Sequence, residues 1–465
     1  MTRDAIVLTT LVAYKLVLVA IGLWAARRNS DAHDYLLAGG KLGGWVAGLS
    51  ASASSSSAWT LLGVSGAAYA WGLSAVWLFP ATLGGFLLNW LIVAPRLATI
   101  ARKERALTLS EVILPAHLGR WQLPLLRLST VIIVFCFLFY IAAQFDGAGK
   151  AFSANFGWPA AESILIGAAI VTLYTLLGGF WAVSVTDALQ AVMMLLVAVA
   201  LPGLAVLTAM SGGEWTTGAM GHLLGDYSGV LGIVFVLGTL GIGMGYPGQP
   251  HVVNRFMALR DTRALRRGQW IAIGWAVVVY SGMLALGWSA RALIAPPGDG
   301  EQALFLVADA VLSPVFAGLV LAAVLSAIMS TADSQLLSAA AAVAHDWRLD
   351  TASPDAAPAL VRVVVIALAV AAIALALFVP QDIFSRVLFA WHAVGSALGP
   401  LLLARLAGWR ISALGSAAAM VSGFGLTVVF HLLVDSPGDW VERWLPLLIG
   451  AAIVVSTRQD ATHEN

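Results

Sequence analysis

Apolar residues run in blocks of about 20 along nearly the whole chain, separated by short polar stretches. A helix needs a block of that length to cross the hydrocarbon core of a bilayer. The blocks fall at 5–26, 44–70, 72–94, 124–149, 161–179, 184–210, 229–246, 269–294, 310–344, 360–379, 382–404, 411–434 and 441–456. This predicts an all-α polytopic membrane protein with 13 transmembrane helices. Two blocks break the pattern. The second contains LSASASSSSAWTLLG, Leu49 to Gly63, with five serines between Ser52 and Ser57. Such hydroxyls bond helix carbonyls and bend or end a helix, and non-helical backbone survives at membrane depth only where it is buried in protein or lines a cavity. They would also suit a small-residue packing face. The seventh, read from Gly229 on to Ala258, carries Gly238, Gly241, Gly243, Gly245, Pro247, Gly248 and Pro250, residues that weaken or break helices. Interruptions five blocks apart are the pattern of an inverted-repeat secondary transporter, whose solute and ion sites lie near the midplane at the breaks.

Composition agrees with the pattern: 60% of the 465 residues are hydrophobic, 11% are charged and the mean hydropathy is +0.89. A soluble protein would carry roughly a quarter charged residues. A net charge of +1 gives no reason to expect nucleic acid as a partner. Cys136 is the single cysteine, which excludes an internal disulfide and a multi-cysteine metal site. The eight histidines show no metal-ligand spacing; His251 and His345 read as membrane-boundary residues and His392 as a polar packing residue. No phosphate-cradling loop motif occurs.

Charge sets an expected orientation. Nineteen cations fall between blocks or at the block ends that would share one side: Arg27, Arg28, Lys41, Arg96, Arg102, Lys103, Arg105, Arg120, Arg127, Arg255, Arg260, Arg263, Arg266, Arg267, Arg348, Arg362, Arg405, Arg410 and Arg458. The other side carries five: Arg3, Lys150, Arg291, Arg386 and Arg443. Cytoplasmic loops hold the excess of Lys and Arg, so the N-terminus is expected outside and the C-terminus in the cytoplasm, in a plasma membrane such as the bacterial inner membrane. Arg27 and Arg28 follow the first block rather than precede it, which suits a transmembrane helix and not an export signal.

The ninth block is polar at its centre. Ser326, Ser330, Thr331, Asp333, Ser334 and Ser338 lie within Val324 to Asp346. Ser330 and Ser334 share a helix face with Thr331 beside them. Hydroxyl and carbonyl oxygens are hard ligands suited to Na⁺, and the same groups could instead bond neighbouring helices. Asp333 favours the first reading, because an intramembrane carboxylate is a functional candidate. Asp187 is a second such carboxylate, or a helix-start residue favoured by the dipole.

Four stretches, taken together, resemble the sodium:solute symporter family, and its proline-transporting members most: LSASASSSSAW at Leu49, LLGGFWAVSVTDALQAVMM from Leu176, GYPGQPHVVNRFMA from Gly245 and AIMSTADSQLL from Ala327. The resemblance runs nearly end to end. It implies the leucine-transporter type of fold: a first span and loop at 1–43, one inverted repeat at 44–210 (spans 2–6), a second at 211–406 (spans 7–11), and two C-terminal spans at 407–465. By the same resemblance, sodium would be held by Ala53 and Ser56 carbonyls, the Ala327 carbonyl and the hydroxyls of Ser330 and Thr331. A candidate second ion site would use Asp187, Asp333 and Ser334. Solute would meet Ser57, Trp59, Tyr140, Tyr246 and Pro250, with Gln144 one turn beyond Tyr140. Two departures stand out. Ser55 replaces an aspartate, which keeps proton coupling open beside sodium, and Ile242 replaces a tryptophan. Asp146, four residues before Lys150, is expected to pair with it at the surface.

The implied activity is sodium-coupled symport of a small organic solute, an amino acid such as proline or a related carboxylate, with no cofactor beyond the coupling ion. The bilayer, the solute and Na⁺ (or H⁺) are then the partners. A solute sensor acting through a partner protein is the alternative, recognisable by binding without uptake. A membrane enzyme ranks below both.

Overall fold

Backbone N–H and C=O groups find no water in a hydrocarbon core, so blocks of this apolarity close their hydrogen bonds within helices. The computed structural model describes residues 2–26, 37–177, 179–212, 221–294, 299–347, 356–379 and 381–459; Arg27, Arg28 and Arg348 lie outside them. Among the described residues, ten helices are long and apolar enough to cross a membrane. One helical run, Trp59–Glu104, has 46 residues, about 70 Å at 1.5 Å per residue and more than twice a bilayer core. It turns at Gly72, whose φ of +63° favours glycine. Two shorter apolar helices, Ala160–Leu177 and Trp440–Ser456, accompany the ten. The sheet among the described residues is one antiparallel pair, Arg410–Ile411 with Arg458–Gln459.

The bundle is built around two helices buried on nearly every side, Pro314–Ala341 and Ile383–Leu406. Their apolar windows are 83% and 94% buried, against 22% for the N-terminal helix Arg3–Ala26. A helix apolar all round belongs in such a position, while Leu16, Leu207 and Phe378 on peripheral helices present their side chains outward. Helix Gly44–Ser55 packs against the central Pro314–Ala341 and against Phe180–Ser211 and Thr262–Leu293. Helix Ile383–Leu406 meets the 3₁₀ segment Gly241–Gly248 across a glycine seam. A Cβ on Gly395 would lie 2.7 Å from the Gly245 Cα, so the two backbones touch.

Three arginines that the charge count assigns to the two membrane faces are inside the protein. Arg255 and Arg386 are 1% exposed and Arg443 is 3% exposed. A long side chain at a helix end can fold back onto carbonyls and carboxylates, and each does. Arg386 donates to the Val379 carbonyl, Arg443 to Asp439 (2.6 Å) and the Gly238 carbonyl (3.3 Å), and Arg255 to the cluster described below. Lys150 forms its ion pairs with Asp299 (2.8 Å) and Glu301 (2.5 Å) rather than with Asp146, because the 3₁₀ turn Gly300–Gln302 folds back over its helix.

The glycine seam makes a matched test. Gly395→Ala forces a methyl into backbone, and overpacking of this kind costs about 1–3 kcal/mol. The neighbours of a Cβ at Gly399, one turn along the same helix, are 3.9 Å away or more. Thermal unfolding in detergent should therefore fall by several degrees for Gly395→Ala and stay near wild type for Gly399→Ala. Equal behaviour of the two would show that the seam is not tightly packed.

Candidate functional site

Helix Gly44–Ser55 ends inside the bundle because its own serines compete for its carbonyls. Ser52 Oγ donates to the Gly48 carbonyl (2.8 Å) and Ser55 Oγ to the Ser52 carbonyl (3.0 Å). Ser56 leaves helical geometry at φ −122°, ψ 89°. Beyond Ser57 the helix resumes, and its first N–H groups are capped: the Trp59 N–H by Ser57 Oγ (3.1 Å) and the Ala58 N–H by Gln144 Oε1 (2.9 Å). Gln144 thus bonds the backbone at the interruption.

The carbonyls left at the end of the first half face helix Pro314–Ala341. Ser330 Oγ donates to the Ala53 carbonyl (3.1 Å), and Thr331 Oγ1 to the Ser54 carbonyl (3.2 Å) with Ala53 O at 3.5 Å. Ser330 Oγ is also 3.1 Å from the Ala327 carbonyl. Ala53, Ala327, Ser330 and Thr331 therefore converge, and Ser56 joins them through its N–H on the Ala53 carbonyl (3.0 Å). All are buried. Rotating the two hydroxyls would turn their lone pairs inward and leave a nest of uncharged hard oxygens.

Beside this nest lies a second cluster that brings Asp187, Asp333 and Ser334 together. Asp187 Oδ2 accepts from Ser50 Oγ (2.9 Å), Ser54 Oγ (3.1 Å) and a terminal nitrogen of Arg255 (2.9 Å). The same nitrogen donates to Ser334 Oγ (2.5 Å), whose oxygen is 3.2 Å from Asp333 Oδ1. Arg255 also donates through Nε to Ser50 Oγ (3.1 Å) and through its other terminal nitrogen to the His251 carbonyl. Its charge lies over the Phe180 ring, 5.0 Å from the centroid. Lys15, in the N-terminal helix, places Nζ 3.0 Å from Met329 Sδ, one turn before Asp333.

The aromatic candidates gather around the interruption. Tyr140 Oη donates to Ser57 Oγ (3.3 Å). Trp59 packs against Tyr280 (6.4 Å between centroids) and Phe384 (5.6 Å). Tyr246 joins from the other side, 4.6 Å from Trp391, with its hydroxyl 3.4 Å from that of Tyr280. Pro250 opens helix Pro250–Met257, where its missing N–H costs nothing. His251 is fully buried beside the Phe137 and Tyr140 rings, not at a membrane boundary, because it follows Pro250 on that interior helix. Trp391 and Tyr280 were not read from the sequence; a lone aromatic in an apolar block carries no signal of its own. Ile242, at the tryptophan departure, contributes its carbonyl to Trp391 Nε1 (3.3 Å).

One end of this aromatic group is latched. Glu301 accepts from Lys150 Nζ and also from the Phe384 and Ile383 N–H groups (2.9 and 3.3 Å), and Phe384 lies on Trp59 and on Trp71 (5.1 Å). Burial raises the Glu301 carboxyl above the ordinary range, and the Lys150 ammonium pulls it part of the way back.

The chain has counterparts among known proteins. The chain is 32% identical to the osmoregulated proline transporter OpuE of Bacillus subtilis, over 97% of this chain and 94% of that one. It is 31% identical to the sodium/proline symporter of Escherichia coli, over 91% and 87%. In fold it matches a Na⁺-coupled sialic acid symporter with a TM-score of 0.79 at 18% identity, over 97% and 96% of the two chains. It also matches MhsT, solved with L-phenylalanine, at 0.56 and 13%, over 89% and 97%. The model of the sodium:solute symporter family covers residues 35–423. With that match and relatives above 30% identity along nearly its full length, this multi-pass membrane protein belongs to the sodium:solute symporter family.

Proposed function

We propose that the chain moves a small zwitterionic or carboxylate solute, proline being the first to test, together with Na⁺ by alternating access. The observation that carries the reading is the contact of Ser330 and Thr331 with the carbonyls at the end of helix Gly44–Ser55. Sodium bound by Ala53, Ser56, Ala327, Ser330 and Thr331 would brace two helices against each other. That fixes the wall carrying Ser57 and Trp59, toward which Tyr140, Gln144, Tyr246 and Pro250 face the solute. Coupling is then reciprocal: solute raises sodium affinity by the factor that sodium raises solute affinity. The proline transporters among the relatives support the solute class, and no covalent chemistry is required.

The architecture that goes with this reading has thirteen spans. Turning at Gly72 and counting Ala160–Leu177 and Trp440–Ser456 brings the helices to that number. The interruptions at Ser56 and Ser57 and at Gly241–Gly248 then fall in spans 2 and 7, five apart as the inverted repeats 44–210 and 211–406 require. The loop cations favour an outside N-terminus and a cytoplasmic C-terminus in a bacterial inner membrane. The Glu301 latch then faces outward. Ser55, where proline-transporting relatives are expected to carry an aspartate, turns its hydroxyl back onto its own helix, which leaves the nest uncharged and suited to one Na⁺.

Proteoliposomes given an inward sodium gradient should accumulate labelled proline, with other amino acids and small carboxylates as competitors, and choline in place of sodium should abolish it. Uptake driven by a proton gradient alone would assign H⁺ as the coupling ion. No uptake of any solute under either gradient would overturn symport.

Alanine at both Ser330 and Thr331 removes two ion ligands. Contacts to a charged group are worth about 1.5–3 kcal/mol each, so losing two should raise half-saturation for sodium about a hundredfold or more. Solute affinity at saturating sodium should change little. An unaltered sodium dependence would remove both residues from the site.

A further inference from the structure

The cluster around Asp187 is a complete cation site, and a cation belonging to the protein is already in it. The Arg255 guanidinium donates to Ser50 Oγ, Asp187 Oδ2, Ser334 Oγ and the His251 carbonyl, and lies against the Phe180 ring. Its side chain is 1% exposed and that of Asp187 fully buried. A guanidinium presents five donors in a rigid fork, and four of them have acceptors here. The oxygens that would surround a second sodium, on Asp187 and Ser334, point at one Arg255 nitrogen at 2.9 and 2.5 Å.

Charge gives the same answer. Asp187 and Arg255 meet in the cluster as one acid and one base. Asp333 and Lys15, whose Nζ reaches Met329 one turn before Asp333 where the N-terminal helix packs on Pro314–Ala341, are a second acid and base, so the cluster carries no net charge whether both of these are ionised or both neutral. An added ion there would be an uncompensated charge in a low-dielectric interior. The nest at Ala53, Ala327, Ser330 and Thr331 has no charged member, so an ion entering it meets no built-in competitor.

We infer that Arg255 is a tethered second cation: it holds the position between Asp187 and Ser334 that a mobile ion would otherwise take, and so limits the protein to one coupling sodium. This rests on the sodium reading of the neighbouring nest, but its test reads a difference between variants that does not depend on that reading.

Equilibrium binding of ²²Na⁺ to purified protein in detergent counts ions per chain without any solute. Wild type should saturate at one ion with a Hill coefficient near 1. Arg255→Gln, which keeps much of the shape and removes the charge, should bind one ion more than wild type with a Hill coefficient above 1. Arg255→Lys should stay at the wild-type count, and adding Asp187→Asn to Arg255→Gln should abolish the gain. Two ions in wild type, or no gain in folded Arg255→Gln, would overturn the inference. Should Arg255→Gln not fold, the wild-type count decides alone. A wild-type count of zero with a gain of one in Arg255→Gln would uphold the tethered cation and sink the sodium reading of the nest.

Discussion

A helix that stops inside a membrane protein must find partners for the backbone groups it abandons, and this requirement organises the centre of the molecule. At Ser56 and Ser57 those partners come from other helices: hydroxyls of Ser330 and Thr331 for the carbonyls, and the Gln144 amide for the Ala58 N–H. Each unsatisfied group in such a setting costs several kcal/mol. The interruption therefore holds helices Gly44–Ser55, Gln122–Phe156 and Pro314–Ala341 in register. The carbonyls that demand hydrogen bonds from serine and threonine are also what a small cation can use. In the proposed reading, structural need and ion chemistry would be served by the same atoms.

The buried Asp187–Arg255 pair obeys a related constraint. Removing one partner of such a pair costs roughly 3–5 kcal/mol, because the other charge is left without compensation. Here the pair is supported by Ser50, Ser54 and Ser334, so serines of the interrupted helix serve two neighbouring sites. Ser54 links them directly. Its hydroxyl bonds Asp187 while its carbonyl accepts from Thr331. A shift of the helix end by one residue would disturb both at once.

Much of this was legible in the sequence, and the limits have physical reasons. Block length and polarity gave the all-helical membrane class, since the bilayer fixes both. The serine run and the ninth block declared themselves because hydroxyls and a carboxylate are costly in an apolar setting, and the structure does bring Ala53, Ala327, Ser330 and Thr331 together. Arg255 was misread because a cation near a helix end looks the same in sequence whether it points to water or folds inward. Lys15 passed unremarked inside an apolar block for want of visible context, and its neighbour Met329 is over 300 positions away. The partnership of Lys150 with Glu301 rather than Asp146 depends on a turn folding back across the helix, which no local spacing encodes.

The Glu301 carboxylate ties together three stretches far apart along the chain: Lys150, its own 3₁₀ turn, and the first residues of helix Ile383–Leu406. Because Phe384 belongs to the last of these and rests on Trp59, the ionic contact and the aromatic contact act in parallel on one helix end. Parting the rings on that side means parting the charges too, so the two losses add into a single barrier. If the solute lies behind those rings as proposed, its residence would depend on how often one carboxylate lets go, a matter of frequency and not of how tightly the solute is gripped.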